Sequence, residues 1–401
     1  MGAITPLGNS VEEFWRGCVE GRSGIGWISI DDPKNYPVKI DGEVRGFRPT
    51  DYMDADEAAS QARFSQFGVA TAKAALDDAR LDLAAEDPAR IGIIVGTGNG
   101  GYPEIEALAR GVIAGRITTH ADVIAQAMPH MAAANIARAF GIKGYASTVC
   151  TACAASTQAL GCALDVIRSG RADVVLAGGS EAGLCEVALA GFVALRALST
   201  RADDPTKASR PFDADRDGFV SSEGAAMLVL EEFEHARARG ARIFAELAGY
   251  GATSDAFHVV APRQDGECAQ GAMSLALADA GVMPSEIDYI NAHGTSTRFN
   301  DVIETAAIKA VFREDAYRVP VSSTKSQIGH ALGAAGAIES IACIKAIETG
   351  ILPPTINQDH RDPDCDLDYV PNESRPTGDV RVVLKNSFGF GGQNACLVYR
   401  K

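Results

Sequence analysis

The sequence predicts an α/β fold in which one β/α unit occurs twice, as two halves related by a pseudo-twofold axis. Two observations predict it. Short continuous apolar runs, each suited to a strand buried on both faces, open into glycine-rich loops. Those runs also recur in one order. Residues 75–79 lead into the run and loop 91–97, and residues 277–281 lead into 287–295. The strand at 145–149, the cysteine after it and the small-residue helix behind it match 319–322, a loop, and the helix 330–348. Residues 174–179 match 382–392. Two copies of one unit in one chain place active groups in both halves, here 1–240 and 241–401.

Taken in order, residues 2–8 read as a loop with no strand before it. Asn9 or Ser10 then caps an amphipathic helix through Val19. Residues 21–60, rich in turn formers and charge, read as irregular surface structure, and 64–79 as helix. The apolar run 91–95 feeds the loop Gly96-Thr97-Gly98-Asn99-Gly100-Gly101. Its spacing fits neither the Walker pattern nor the dinucleotide fingerprint, so it reads as a tight turn lining a cleft. Residues 154–168 form a helix of small and aliphatic residues, and 173–181 form a strand entering a second glycine loop. A strand at 225–231 and a charged helix at 232–239, stopped by Gly240, close the first half. The second half opens with a strand near 244–247 and a helix at 269–280.

A net charge of −15 argues against a general nucleic-acid binder. No apolar run is long enough to cross a bilayer, and no secretion signal opens the chain. Nine scattered cysteines, an odd count, suit a reducing cytoplasm better than a disulfide framework.

The chemistry gathers at the ends of these elements. Cys153 lies at a strand-to-helix turn, where outward N–H groups and the helix terminus favour a thiolate and lower the thiol pKa. Alone it would read as one more buried core cysteine. Three further stretches change that reading. In Asn291-Ala292-His293-Gly294-Thr295-Ser296-Thr297 a histidine leaves a buried strand toward a cleft. Lys325-Ser326-Gln327-Ile328-Gly329-His330 sets a lysine and a histidine around a helix start. Asn386-Ser387-Phe388-Gly389-Phe390-Gly391-Gly392 places two aromatic rings between glycines, as in a mobile flap.

Together with Thr151-Ala152-Cys153-Ala154-Ala155, these four motifs in this order resemble those of the β-ketoacyl-acyl carrier protein synthases, most closely synthase II of dissociated fatty acid synthesis. The resemblance covers nearly the whole chain. It implies a thiolase-like fold of five αβαβα layers, a homodimer, and acyl carrier protein as partner. It implies decarboxylative Claisen condensation of an acyl chain on Cys153 with malonyl-acyl carrier protein. His293 and His330 would stabilise the enolate, with Lys325 and Glu339 in support. The N–H groups of Cys153 and Phe390 would form the oxyanion hole, with Phe390 and Phe388 in the gate. Thr295 and Thr297 would bind the phosphopantetheine arm. No cofactor is required. A structural sodium or potassium ion would sit at Asn291, Glu339, Asn386 and the carbonyl of Lys385.

Three departures from the family pattern accompany the match. Relatives start with a strand ahead of Gly2, which this chain lacks, implying an altered sheet edge or a misassigned start. Cys150 makes a Cys-x-x-Cys, for which a redox or metal reading stands as an alternative. Residues 54–63 are poor in the basic residues that relatives use for the acidic carrier, so docking falls to Arg63, Arg116, Arg196 and Arg201. Within the same chemistry, a polyketide or polyene ketosynthase is the second reading, since Asn99 puts a polar group beside the acyl pocket. A non-catalytic chain-length partner subunit is the third, against which Cys153 speaks.

Overall fold

A computed structural model gives the architecture; it describes residues 1–29, 36–116 and 122–401. The first half contributes β1 (Gly2–Ile4), a short pair β2 (Gly26–Trp27) and β3 (Ile40–Asp41), then β4 (Ile91–Gly96), β5 (Ala146–Val149), β6 (Val174–Glu181) and β7 (Gly224–Glu231). The second contributes β8 (Glu246–Ser254), β9 (Tyr289–Asn291), β10 (Val321–Ser322), a short pair β11 (Ile351–Leu352) and β12 (Arg375–Pro376), then β13 (Val382–Gly389) and β14 (Gln393–Arg400). The helices are α1 (Val11–Val19), α2 (Ala55–Ser60), α3 (Arg63–Ala79), α4 (Tyr102–Ile113), α5 (Val123–Ala127), α6 (Met131–Phe140) and α7 (Ala155–Arg168). They continue with α8 (Glu186–Ala194), α9 (Phe233–Ala238), α10 (Glu267–Ala280), α11 (Arg298–Phe312), α12 (Lys325–Ile328) and α13 (Ala335–Thr349).

Two five-stranded sheets carry the fold, in the orders β1-β7-β6-β4-β5 and β8-β14-β13-β9-β10. The pairings agree step by step. The first two strands of each order are antiparallel, the next pair is antiparallel, and the last two pairs are parallel. The expected repeat is therefore present as a repeat of topology. Helices α7 and α13 lie between the sheets, each in contact with both. Helix α13 is apolar on nearly every side and buried along almost its whole length, as a helix with no solvent face must be. α3 and α6 cover the outer face of the first sheet, and α10 and α11 that of the second, which completes five layers.

The opening segment corrects the sequence reading. Gly2, Ala3 and Ile4 are a strand, not a loop, paired with Met227, Ala226 and Ala225. Two small residues gave no alternation to see. Gly2 is required by closeness, because a Cβ there would lie 2.2 Å from the Thr71 carbonyl of α3. Residues 21–60 are less irregular than expected, since they hold β2, β3 and α2; residues 30–35 lie outside the described set. The strand expected near 244–247 begins at Glu246 and runs to Ser254. Ser10 is the cap of α1, accepting from the Glu13 N–H at 3.1 Å.

Candidate active site

Cys153 is the middle residue of a 3-10 turn, Ala152–Ala154, that runs straight into α7. Ala152 adopts φ 49°, a left-handed conformation costly for a residue with a Cβ. It turns the chain sharply enough to bring the thiol off the end of the helix. Gly389 is needed opposite: a Cβ there would stand 3.2 Å from the Cys153 nitrogen and 2.9 Å from the Thr151 carbonyl. That closeness lets the N–H groups of Phe390 and Cys153 both reach the Cys153 sulfur.

The thiol pKa runs against the sequence expectation. Burial pushes it up to about 11, opposed by the Lys325 charge and those two N–H groups. Desolvation outweighs the helix terminus here, because the sulfur sits in an apolar cluster with Leu189, Leu198, Phe219 and Leu332.

His293 follows β9, held by its own N–H donated to Glu304 Oε1 at 2.8 Å and by its carbonyl, which accepts from Lys325 Nζ at 2.7 Å. His330 precedes the turn before α13, its main-chain N–H donated to the Val220 carbonyl at 2.7 Å. The two rings stand 5.4 Å apart, edge to face, with Phe219 against His330 at 5.3 Å and Phe388 against His293 at 5.8 Å. Burial, then Lys325, lowers both imidazole pKa values well below the ordinary range, so both rings are neutral. Nδ1 of His293 and both ring nitrogens of His330 are buried without a hydrogen-bond partner among the described residues. Buried polar atoms left open in this way are what a site offers to a substrate.

Lys325 and Glu339 are both 1% exposed and form a direct ion pair. The Thr295 and Thr297 hydroxyls bond each other at 2.9 Å beside His293. Phe388 lies within the ladder of β13, opposite Asn394, whereas Phe390 occupies the tight turn before β14 and stands 6.4 Å from Phe192. Of the flap expected from the sequence, only Phe390 with Gly391 and Gly392 lies outside the ladder. Cys150 is exposed and donates weakly to the Gly98 carbonyl at 3.5 Å, while Cys153 is buried; both thiols are free.

The four positions expected to hold a monovalent ion do not fit one. Asn386 points its amide at Glu304 Oε1, 3.1 Å away, and its carbonyl oxygen accepts from Cys396. Lys385 lies in a strand paired on both sides, which commits its main chain to the sheet. Its side chain brings an ammonium instead, 2.9 Å from Glu339 Oε2. Burial lowers the Lys385 pKa, with Glu339 acting against that shift.

Sequence reasoning missed two acids. Glu304 receives the N–H groups of His293 and Gly294, each at 2.8 Å. Glu181, fully buried, receives those of Gly98 at 2.6 Å, Asn99 at 3.1 Å and Gly333 at 3.0 Å, and burial raises its pKa to about 7. The glycine loop after β4 thus directs its donors to a carboxylate of its own chain, in keeping with a turn and not a phosphate cradle. Among the docking arginines, Arg63 is bound to buried Glu223 at 2.7 Å, and Arg201 donates to the Asp215 carbonyl at 2.8 Å. Arg116 and Arg196 are exposed and carry no ion pair among the described residues.

Known proteins resemble this chain along its whole length. The profile "Beta-ketoacyl synthase, N-terminal domain" matches residues 1–236, and "Beta-ketoacyl synthase, C-terminal domain" matches residues 244–359. A 3-oxoacyl-[acyl-carrier-protein] synthase 2 of Synechocystis sp. is 45% identical, over 100% of this chain and 96% of the relative. A solved structure described as the ishigamide ketosynthase/chain length factor is 40% identical with a TM-score of 0.93, covering 100% of this chain and 97% of that one. Another, described as a type II PKS acyl-carrier protein in complex with its ketosynthase bound to the hexaketide, is 38% identical with a TM-score of 0.91, at the same coverages. The chain belongs to the β-ketoacyl synthase family and has its thiolase-like fold. It is a condensing acyltransferase, and condensation in this family needs no cofactor. Among the described residues no helix is long and apolar enough to cross a membrane.

Proposed function

We propose that this protein elongates fatty acyl chains by decarboxylative condensation of an acyl group on Cys153 with malonyl-acyl carrier protein. The observation that carries this reading is the pair of neutral, buried imidazoles with open ring nitrogens. The Cys153 thiolate attacks the acyl thioester and the carrier thiol leaves, which transfers the chain to the enzyme. Malonyl thioester then loses CO2, and the electron pair of the broken bond becomes an enolate. His293 and His330 donate N–H to its oxygen. The enolate carbon attacks the Cys153 thioester, whose oxygen faces the N–H groups of Cys153 and Phe390, and the Cys153 thiolate leaves. Lys325 and Glu339 fix the His293 main chain. Thr295 and Thr297 hold the phosphopantetheine arm, and Phe390 and Phe388 gate it.

The carrier protein docks on Arg63, Arg116, Arg196 and Arg201, of which Arg116 and Arg196 have the freest charges. The protein works in the cytoplasm as a homodimer, its halves dividing at residue 240. An edge strand, β5, and the exposed apolar side chains Tyr145, Val112, Ile113, Ile124 and Val187 support the dimer, whose mass in solution tests it. A polyketide reading has Asn99 in its favour, half-buried with its Nδ2 unpartnered among the described residues.

Intact mass spectrometry after incubation with a panel of acyl-carrier proteins tests the function. The expected result is a saturated-acyl adduct that disappears in Cys153→Ala. Arg196→Glu should slow loading from the carrier protein and not from a small thioester. Loading by β-ketoacyl chains alone would contradict fatty acid elongation.

A further inference from the structure

A lysine in the middle of a buried strand needs a reason. Lys385 is the fourth residue of β13 and 0% exposed, where a lone ammonium would carry a heavy desolvation penalty. Its surroundings answer that penalty with oxygens. Nζ meets Glu339 Oε2 at 2.9 Å, Thr157 Oγ1 at 3.0 Å and Ser387 Oγ. Thr157 and Ser387 also bond each other at 2.8 Å, which fixes both hydroxyls. Asn291, the register partner of Lys385 on β9, keeps a buried Oδ1 without a partner among the described residues.

A carboxylate and two hydroxyls around one point are the oxygens a hard monovalent cation takes. An ammonium group has the same charge and a similar size to a bare potassium ion. Glu339 already faces two lysines, Lys325 on Oε1 and Lys385 on Oε2, so the three groups carry one positive charge in excess. A metal ion added against Lys385 would meet that excess in a medium of low dielectric, where like charges repel strongly.

We propose that the Lys385 ammonium takes the place of a monovalent metal ion in this protein, as a covalently attached cation that holds Glu339 against the middle of β13. This makes the protein independent of potassium and sodium for its structure, whatever acyl chain it carries.

Thermal unfolding followed while potassium chloride replaces tetramethylammonium chloride at constant ionic strength tests this. The wild-type midpoint should not move. Lys385→Ser, which shortens the side chain and leaves an oxygen, should unfold at a lower temperature, with a midpoint that climbs with potassium by mass action. Lys385→Met, which fills the space without charge, should be lowered without recovery. Wild-type crystals soaked in thallous acetate should show no anomalous peak beside Glu339. A wild-type midpoint that climbs with potassium, or thallium bound on Glu339 in the wild type, overturns the proposal. Indifference of a folded Lys385→Ser to potassium also counts against it. If neither variant folds, the wild-type titration and the thallium map decide alone.

Discussion

The two halves of this molecule share a backbone and differ in what they bury. Cys153 is the second residue of the 3-10 turn before α7, and Gly333 is the second residue of the equivalent turn before α13. Both turns begin on a strained residue, Ala152 at φ 49° and Leu332 at φ 44°. Two residues ahead of them stand Cys150 in the first half and His330 in the second. Glu339 is the fifth residue of α13, and its equivalent in α7 is Ala159. Lys385 is the fourth residue of β13 and pairs with Asn291; the fourth residue of β6 is Ala177, which pairs with Ile94. One half thus buries an alanine, an alanine and an isoleucine where the other buries a glutamate, a lysine and an asparagine.

The ion-paired cluster of Glu339, Lys325 and Lys385 lies wholly in the second half. The unit folds with an apolar middle, so the charged cluster is not needed to make the fold. It is needed where a histidine must be held, because Lys325 reaches from Glu339 to the His293 carbonyl. The loops at the strand ends diverge in the same sense. Between β6 and β7 the first half makes the long excursion 182–223, which carries α8, Arg196 and Arg201, while the second half joins β13 to β14 through residues 390–392. The tight turn delivers a main-chain N–H to the thiol, and the long excursion carries the exposed Arg196 of the proposed docking surface.

The largest expected effect on stability comes from removing the shared carboxylate. Glu339→Gln leaves two buried lysines without a counter-charge, and breaking a buried pair in this way costs about 3–5 kcal/mol. Chemical denaturation measures it. A loss within about 0.5 kcal/mol, the size of an ordinary surface change, would mean that Glu339 does not counter two buried charges.

A smaller effect lies in the thiol. With its pKa pushed up to about 11, Cys153 is protonated at neutral pH in the free enzyme. Its alkylation by iodoacetamide should keep rising past pH 9, about tenfold per unit while the thiolate is the minor form, and Lys325→Met should move the rise to higher pH. The thiol is raised above its unfolded value of 9.0, so stability is full below that pH and falls as pH climbs from there toward about 11. A plateau in alkylation by neutral pH would show that the helix terminus outweighs burial after all.

Much of this comparison is legible in the sequence. The repeat can be read because buried strands and glycine loops come in one order, and Cys153, His293, His330 and Lys325 fall at its joints. What escapes has physical reasons. Helix α8 is apolar on all sides, so no periodicity marks it, and Val187 and Val193 stand exposed on it. Glu304 looks like a surface acid of an amphipathic helix; two of its partners are main-chain N–H groups, which leave no trace in residue types, and Asn386 lies 82 residues away. Lys385 does carry a signal, a single charge directly after the apolar run Val382-Val383-Leu384, but the family resemblance points to its carbonyl and not to its ammonium. The thiol pKa escapes because a strand-to-helix turn announces the dipole and not the depth of burial.

The proposed division of labour puts the acyl acceptor in the first half and the enolate donors in the second. CO2 release from malonyl-acyl carrier protein, measured on Cys153→Ala, His293→Ala and His330→Ala, tests it most directly. Cys153→Ala should still release CO2 while making no condensation product. Each histidine variant should release it about a hundred- to a thousandfold more slowly, the usual cost of one lost donor to a developing oxyanion. Loss of CO2 release in a folded Cys153→Ala, or wild-type release in both histidine variants, would contradict the account.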